Sequence, residues 1–188
     1  MQFKTLAFLS ILSLLFFSGC FEDDKTSKEN EKDKIEAQQK IKENTFNLKT
    51  IDNKPITIIK KDNKYEVKEY PNKIVLLNFF ATWCPPCKAE IPNLIKLQDK
   101  YSKDFQVISI LMEKDKTNKQ IEEFTSEFNI NFDVTNSAEN FKLSKKIGKI
   151  ESIPTLIMLD KYGEIFQKYV GLVPFEMMEI DINKVLKK

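Results

Sequence analysis

The chain has 188 residues with 30 lysines, 28 acidic side chains, no arginine and no histidine, for a net charge of +2. That length suits one domain of ordinary size whose core needs no disulfide staples. The balanced charge gathers into no basic stripe, which argues against nucleic-acid binding, and the lack of histidine excludes Cys–His or Ser–His catalytic pairs and His-ligated metal.

The N-terminus reads as a targeting segment. Lys4 precedes an apolar run from Leu6 to Phe17, and Ser18-Gly19-Cys20 follows. An apolar stretch this short, ending in small residues, predicts a secretory signal over residues 1–19 rather than a membrane span. Phe17-Ser18-Gly19-Cys20 resembles the bacterial lipobox, with Phe17 in place of the usual leucine. The resemblance implies cleavage before Cys20 and lipidation of Cys20. The alternatives are an uncleaved signal anchor, or ordinary secretion with Cys20 free. Each places the domain outside the cytoplasm, where disulfides persist. Glu22 to Asn44 is polar and charged, with only Ile35 and Ile41 as large apolar residues. Residues 20–44 are therefore expected to be a solvated tether with a reach of roughly 25–30 Å.

The domain is expected over 45–188. Phe46-Asn47-Leu48 and Ile56-Thr57-Ile58-Ile59 flank Asp52-Asn53-Lys54 as a hairpin that Tyr65-Glu66-Val67 extends. Ile74 to Phe80 is near-continuously apolar, as in a central strand buried on both faces. A helix follows from Pro85 to Tyr101, with Ile91, Leu94 and Ile95 on one stripe; Pro92 interrupts it and should kink it. Phe105 to Ile110 is the next strand. Ile121, Phe124 and Phe128 mark an amphipathic helix, and Ala138 to Ile147 a short one stopped by Gly148. Phe124, Phe128, Phe132 and Phe141 read as core. Thr155 to Leu159 and Ile165 to Val170 form a hairpin across Asp160-Lys161-Tyr162-Gly163. The last helix opens at Pro174 and should bury Met178, Ile182, Val185 and Leu186. This order predicts an α/β layer fold, a mostly parallel sheet with an antiparallel hairpin at its edge.

Chemistry concentrates in Trp83-Cys84-Pro85-Pro86-Cys87, between the apolar strand and the first long helix. A thiolate at a helix N-terminus is stabilised by the unpaired N–H groups there. Cys84 is the expected attacking thiol, where exposure is greatest, and Cys87, one turn in, the resolving one. A zinc half-site has the same spacing but lacks here a second pair or any histidine. A purely structural disulfide across so short a loop adds little stability. Glu90, three residues past Cys87, shares its helical face; it reads either as a proton carrier or as a surface glutamate near a helix start.

Asn78 to Pro92 (Asn-Phe-Phe-Ala-Thr-Trp-Cys-Pro-Pro-Cys-Lys-Ala-Glu-Ile-Pro), with Ile153-Pro154-Thr155 before the hairpin, resembles the thioredoxin superfamily. It is most similar to the TlpA/ResA-type branch of membrane-tethered extracytoplasmic proteins. The resemblance spans about Phe46 to the C-terminus and implies a thioredoxin-like fold with an N-terminal β-hairpin extension. It implies a cis Ile153–Pro154 peptide facing the Cys84–Cys87 disulfide, with backbone that pairs with substrate and keeps metals off the thiols. It also implies a docking surface shaped by Trp83 and a Glu90 partly buried near the thiols that tunes their titration. Asn78 stands where thioredoxin carries a buried acid, and an amide cannot exchange that proton. The expected activity is thiol–disulfide exchange on exported proteins, without cofactor or metal, fed by a membrane electron donor. Reduction, including that of apocytochromes c, is the leading direction. Oxidation or isomerisation is the alternative, and a non-catalytic binding or chaperone module is the rival of another class. A copper carrier would need a longer Cys–Cys spacing and a histidine, and a peroxidase would need an arginine.

Overall fold

The computed structural model describes residues 38–187. The expected signal, Cys20 and most of the tether lie outside the described residues. Residues 39–188 form one compact unit. The described chain opens with α1 (residues 38–43), and then three strands follow, β1 (Thr45–Lys49), β2 (Pro55–Lys61) and β3 (Lys64–Val67). They form an antiparallel sheet in the order β1-β2-β3, so the expected hairpin is a three-stranded meander. Inward residues alternate with outward ones along it, Phe46 and Leu48 on β1 and Ile56 and Ile58 on β2 facing in, the mark of a sheet buried on one side.

The central sheet has five strands in the order β6-β5-β4-β7-β8. They are β4 (Ile74–Phe80), β5 (Phe105–Leu111), β6 (Asp133–Thr135), β7 (Thr155–Leu159) and β8 (Ile165–Val170). β4 pairs parallel to β5, and β5 to β6; β7 runs antiparallel to β4, and β8 to β7. β6 was not expected, because three residues carry no readable alternation.

Every residue of β4 is buried, because both of its faces are covered. Val75, Leu77 and Phe79 join a core with the three-stranded sheet and with Leu143 of α4 (Glu139–Lys146). Ile74 and Leu76 point the other way. They join Leu94 and Leu97 of α2 (Pro85–Tyr101) and Met178, Ile182 and Val185 of α5 (Phe175–Leu186). α3 (Asn118–Glu127) begins at a capping box in which Thr117 and Gln120 satisfy each other's backbone N–H.

Three expectations need correction. Leu186 is 39% exposed. Met178, Ile182 and Val185 follow the buried stripe, and Leu186 falls a further 100° around the helix. Phe128, Phe132 and Phe141 are only partly buried. Leu97 completes the fully buried α2 stripe, and Ile95 is partly buried against the cluster that holds the cysteines. Pro92 does not break α2. A proline in a helix interior costs about 3 kcal/mol, whereas full burial of Ile91, Leu94 and Leu97 contributes about 1.5–3 kcal/mol each. Pro92 and Lys88 are both exposed, so the carbonyl that loses its partner faces water.

The β7–β8 turn ties the two sheets together. Asp160 Oδ1 accepts from the N–H groups of Tyr162 and Glu164, and the Tyr65 N–H of β3 reaches the Gly163 carbonyl at 2.7 Å. Gly163 has φ +80°, and a Cβ there would stand 2.5 Å from the Tyr65 carbonyl oxygen. Gly163→Ala should therefore lower stability by at least about 2 kcal/mol, read as a lower urea midpoint at unchanged slope. An unchanged midpoint would show that this contact does not join the sheets.

Candidate active site

The site forms where β4 leaves the sheet. After Phe80 the chain turns through Ala81–Trp83 into α2. Pro85 and Pro86 open the helix, where a missing N–H costs nothing. Cys84 is the N-cap residue, and its Sγ accepts the Cys87 N–H at 3.3 Å. The sulfur of Cys84 thus occupies the position at which helix N–H groups favour negative charge. Cys84 and Cys87 are joined as a disulfide, their Cα atoms 5.3 Å apart.

The expectation that Cys84 is the exposed member of the pair is not met. Both cysteines are 3% exposed. They share an apolar cluster with Phe80, Ala81, Ile91, Leu111, Ile121 and Phe124. Trp83, 66% exposed, and the exposed Pro85 and Pro86 hold the outer positions instead. A helix start seen in sequence gives the field at Cys84 but not the apolar cluster, with Ile121 and Phe124 of α3, in which it is buried.

Ile153–Pro154 is a cis peptide, with Pro154 buried and Ile153 packed against the cluster that holds the cysteines. The Pro154 carbonyl accepts the Gly171 N–H at 2.8 Å, and Thr155 Oγ1 donates to the Ser152 carbonyl at 2.7 Å. The segment before β7 is thereby fastened to the segment after β8.

Glu90 is fully buried, which decides against a surface glutamate. Its place on α2 between Cys87 and Leu94 puts it on the inward stripe. Oε1 accepts the Val173 N–H at 3.0 Å, and Oε2 has no protein partner. Burial pushes the carboxyl from its ordinary 4.5 up to about 7, against the Val173 hydrogen bond, which acts the other way. Asn78, also buried, donates from Nδ2 to Ser109 Oγ on β5 at 3.0 Å, as a hydrogen-bonded strand residue. Sequence reasoning missed Glu113, just past β5, whose carboxylate accepts the Thr82 N–H. Nothing in the local sequence marks it, since its partner lies 31 positions away. Among the described residues, no group of three or more His, Cys, Asp or Glu side chains is arranged to hold a metal ion, and no helix is long and apolar enough to cross a membrane.

Residues 37–186 match the Redoxin family. The chain belongs to that family. Thiol-disulfide oxidoreductase ResA of Bacillus cereus is 32% identical over 124 residues, 65% of this chain and 69% of that protein. Thioredoxin-like protein YneN of Bacillus subtilis is 30% identical over 135 residues, 71% of this chain and 72% of that protein. Among solved structures, a thiol:disulfide interchange protein of the thioredoxin family from Chlorobium tepidum superposes with a TM-score of 0.61 at 24% identity, covering 76% of this chain and 93% of its own. StoA from Bacillus subtilis does so at 0.57 and 22%, covering 73% and 95%. These likenesses bear out the thioredoxin-like fold and the ResA-type resemblance. Family membership and the Cys84–Cys87 pair together make the chain a thiol–disulfide oxidoreductase.

The carboxyl of Glu90 gives a pH signature. Its raised value means the native protein holds this proton more tightly than the unfolded chain does. Between pH 4.5 and about 7 the native state binds more protons, so stability falls as pH rises through that window. Glu90→Gln removes the titration. The stability of the oxidised wild type relative to Glu90→Gln should drop by about 3 kcal/mol between pH 4.5 and pH 8, measured by denaturant unfolding. A pH-independent difference would mean that Glu90 ionises normally in the fold.

Proposed function

We propose that the chain is an extracytoplasmic reductase of disulfides in exported proteins, held at a membrane by lipid on Cys20 and a tether over residues 20–44. Its substrates include the Cys-x-x-Cys-His segments of apocytochromes c, and a membrane donor supplies its electrons. The observation that carries this reading is the Cys84 sulfur capping α2 within bonding distance of Cys87.

In the reduced enzyme the Cys84 thiolate attacks one sulfur of the substrate disulfide. A Cys84–substrate bond forms, and the first substrate sulfur leaves and takes a proton. Cys87 loses its proton and attacks the Cys84 sulfur; the intramolecular disulfide forms and the second substrate sulfur leaves and is protonated. Two electrons pass to the substrate with two protons, one released by Cys87 and one taken from water, and the donor restores the dithiol. Glu90, one helical turn from Cys87 and with a pKa of about 7, suits the transfer of the Cys87 proton at neutral pH. Ile153, held by the cis bond to Pro154, offers backbone to an extended substrate segment, and the exposed indole of Trp83 offers it an apolar contact.

Two features support reduction over oxidation. Pro85-Pro86 separates the cysteines, so no histidine between them adds to the stability of the Cys84 thiolate, and Ile153 precedes the cis proline as in thioredoxin. A strong oxidant needs a reduced form stabilised well beyond a helix N-terminus alone.

The reduction potential tests the direction. The domain is equilibrated in graded thiol buffers, with Trp83 fluorescence as the reporter. A value at or below roughly −250 mV is expected; a value near roughly −120 mV would make the protein a disulfide donor. Cys84→Ser should abolish reduction of insulin disulfides, and Cys87→Ser should accumulate a mixed disulfide through Cys84. Full in vivo function in Cys84→Ser would instead favour a binding module without turnover.

A further inference from the structure

One carboxylate at the turn that leads to Cys84 has no part in the chemistry above. β4 and β5 keep parallel register up to Phe80 and Leu111, and the Met112 N–H still reaches the Phe80 carbonyl at 2.8 Å. In a continuing parallel ladder the next donor is the Thr82 N–H and its acceptor the Met112 carbonyl. Instead, Thr82 donates to Oε1 of Glu113. β4 has already left the sheet to make the turn into α2, and a side chain two residues past β5 takes the acceptor's place. The Glu113 side chain is 7% exposed, and its Oε2 lies 3.8 Å from Lys116 Nζ.

Thr82 is the second residue before Cys84 and the one before Trp83. The turn also holds the Cys84 N–H to the Ala81 carbonyl at 3.2 Å. A charged acceptor binds an N–H about twice as strongly as a neutral one. An N–H left here without an acceptor would draw the turn toward water. We infer that Glu113 is a positioning residue: by accepting the Thr82 N–H it fixes the turn that sets Trp83 and Cys84 for approach by a partner disulfide. This rests on Cys84 being the attacking thiol.

The test compares Glu113→Ala, which removes the acceptor, with Glu113→Gln, which keeps an acceptor and removes the charge. The readouts are the second-order rate of insulin disulfide reduction, the Trp83 emission spectrum, and amide exchange at Thr82. Glu113→Ala should slow reduction about tenfold, shift Trp83 emission and expose the Thr82 amide, while amides of β4 and β5 keep their protection. Glu113→Gln should recover most of the rate and the wild-type emission. Equal loss in both variants would overturn the inference, because charge rather than placement would then set the rate. Wild-type behaviour of Glu113→Ala would overturn it as well. Should Glu113→Ala fail to fold, Thr82 exchange in the wild type decides: exchange as fast as at an unprotected amide overturns the inference, and strong protection retained in Glu113→Gln supports it. A wild type that reduces no disulfide would count against Cys84 as attacking thiol, while Trp83 emission and Thr82 exchange would still report on the hold of Glu113.

Discussion

The structure depends on one strand being buried on both faces. β4 has no side open to water: its one polar residue, Asn78, is hydrogen-bonded to Ser109, and the reactive chemistry lies past its C-terminal end, where the chain escapes the sheet. There the backbone must turn and start a helix, and a helix start has N–H groups with no partner of their own. The Cys84 sulfur answers one of them by capping α2. The same geometry that completes the fold at this junction thus puts a stabilising field on the sulfur that must carry negative charge in exchange chemistry.

Burial of the pair follows from the same junction. α2 presents Cys87, Glu90, Ile91 and Leu94 inward as one stripe, and α3 adds Ile121 and Phe124 to the cluster around the cysteines. A carboxyl on that stripe is costly when charged, and one backbone N–H offsets only part of the cost. Glu90 therefore titrates near neutrality. Its one partner, Val173, stands two residues past Gly171, which holds the Pro154 carbonyl. Three segments distant in sequence, the redox helix, the cis-proline segment and the strand exit after β8, are linked by two hydrogen bonds, from the Val173 N–H to Glu90 and from the Gly171 N–H to the Pro154 carbonyl.

Much of this was legible beforehand because the relevant periodicities are local. β4 and β5 read as buried runs, and α3, α4 and α5 declare themselves by apolar spacing and by Gly148 and Pro174 at their ends. The spacing of Cys84 and Cys87 ahead of α2 carries the chemistry, and Glu90 could be placed on the face of Cys87 by counting three residues. What failed had too little local signal. β6 spans three residues and is a strand only because β5 offers it an edge. Leu186 reads as a core position because apolarity outlasts the buried stripe at the last residue of α5.

The sequence by itself determined the order of elements other than β6, the site's cysteines and the helix field acting on them, since each depends on residues within a turn or two of one another. Tertiary structure alone decided how deep those residues lie and what they touch. Cys84 is buried in an apolar cluster to which α3 adds Ile121 and Phe124, Glu90 is a shifted acid because the packed interior takes it out of water, and Thr82 is held by Glu113, two residues past β5. Burial and long-range hydrogen bonding are properties of the packed layers, and no window of the chain contains them.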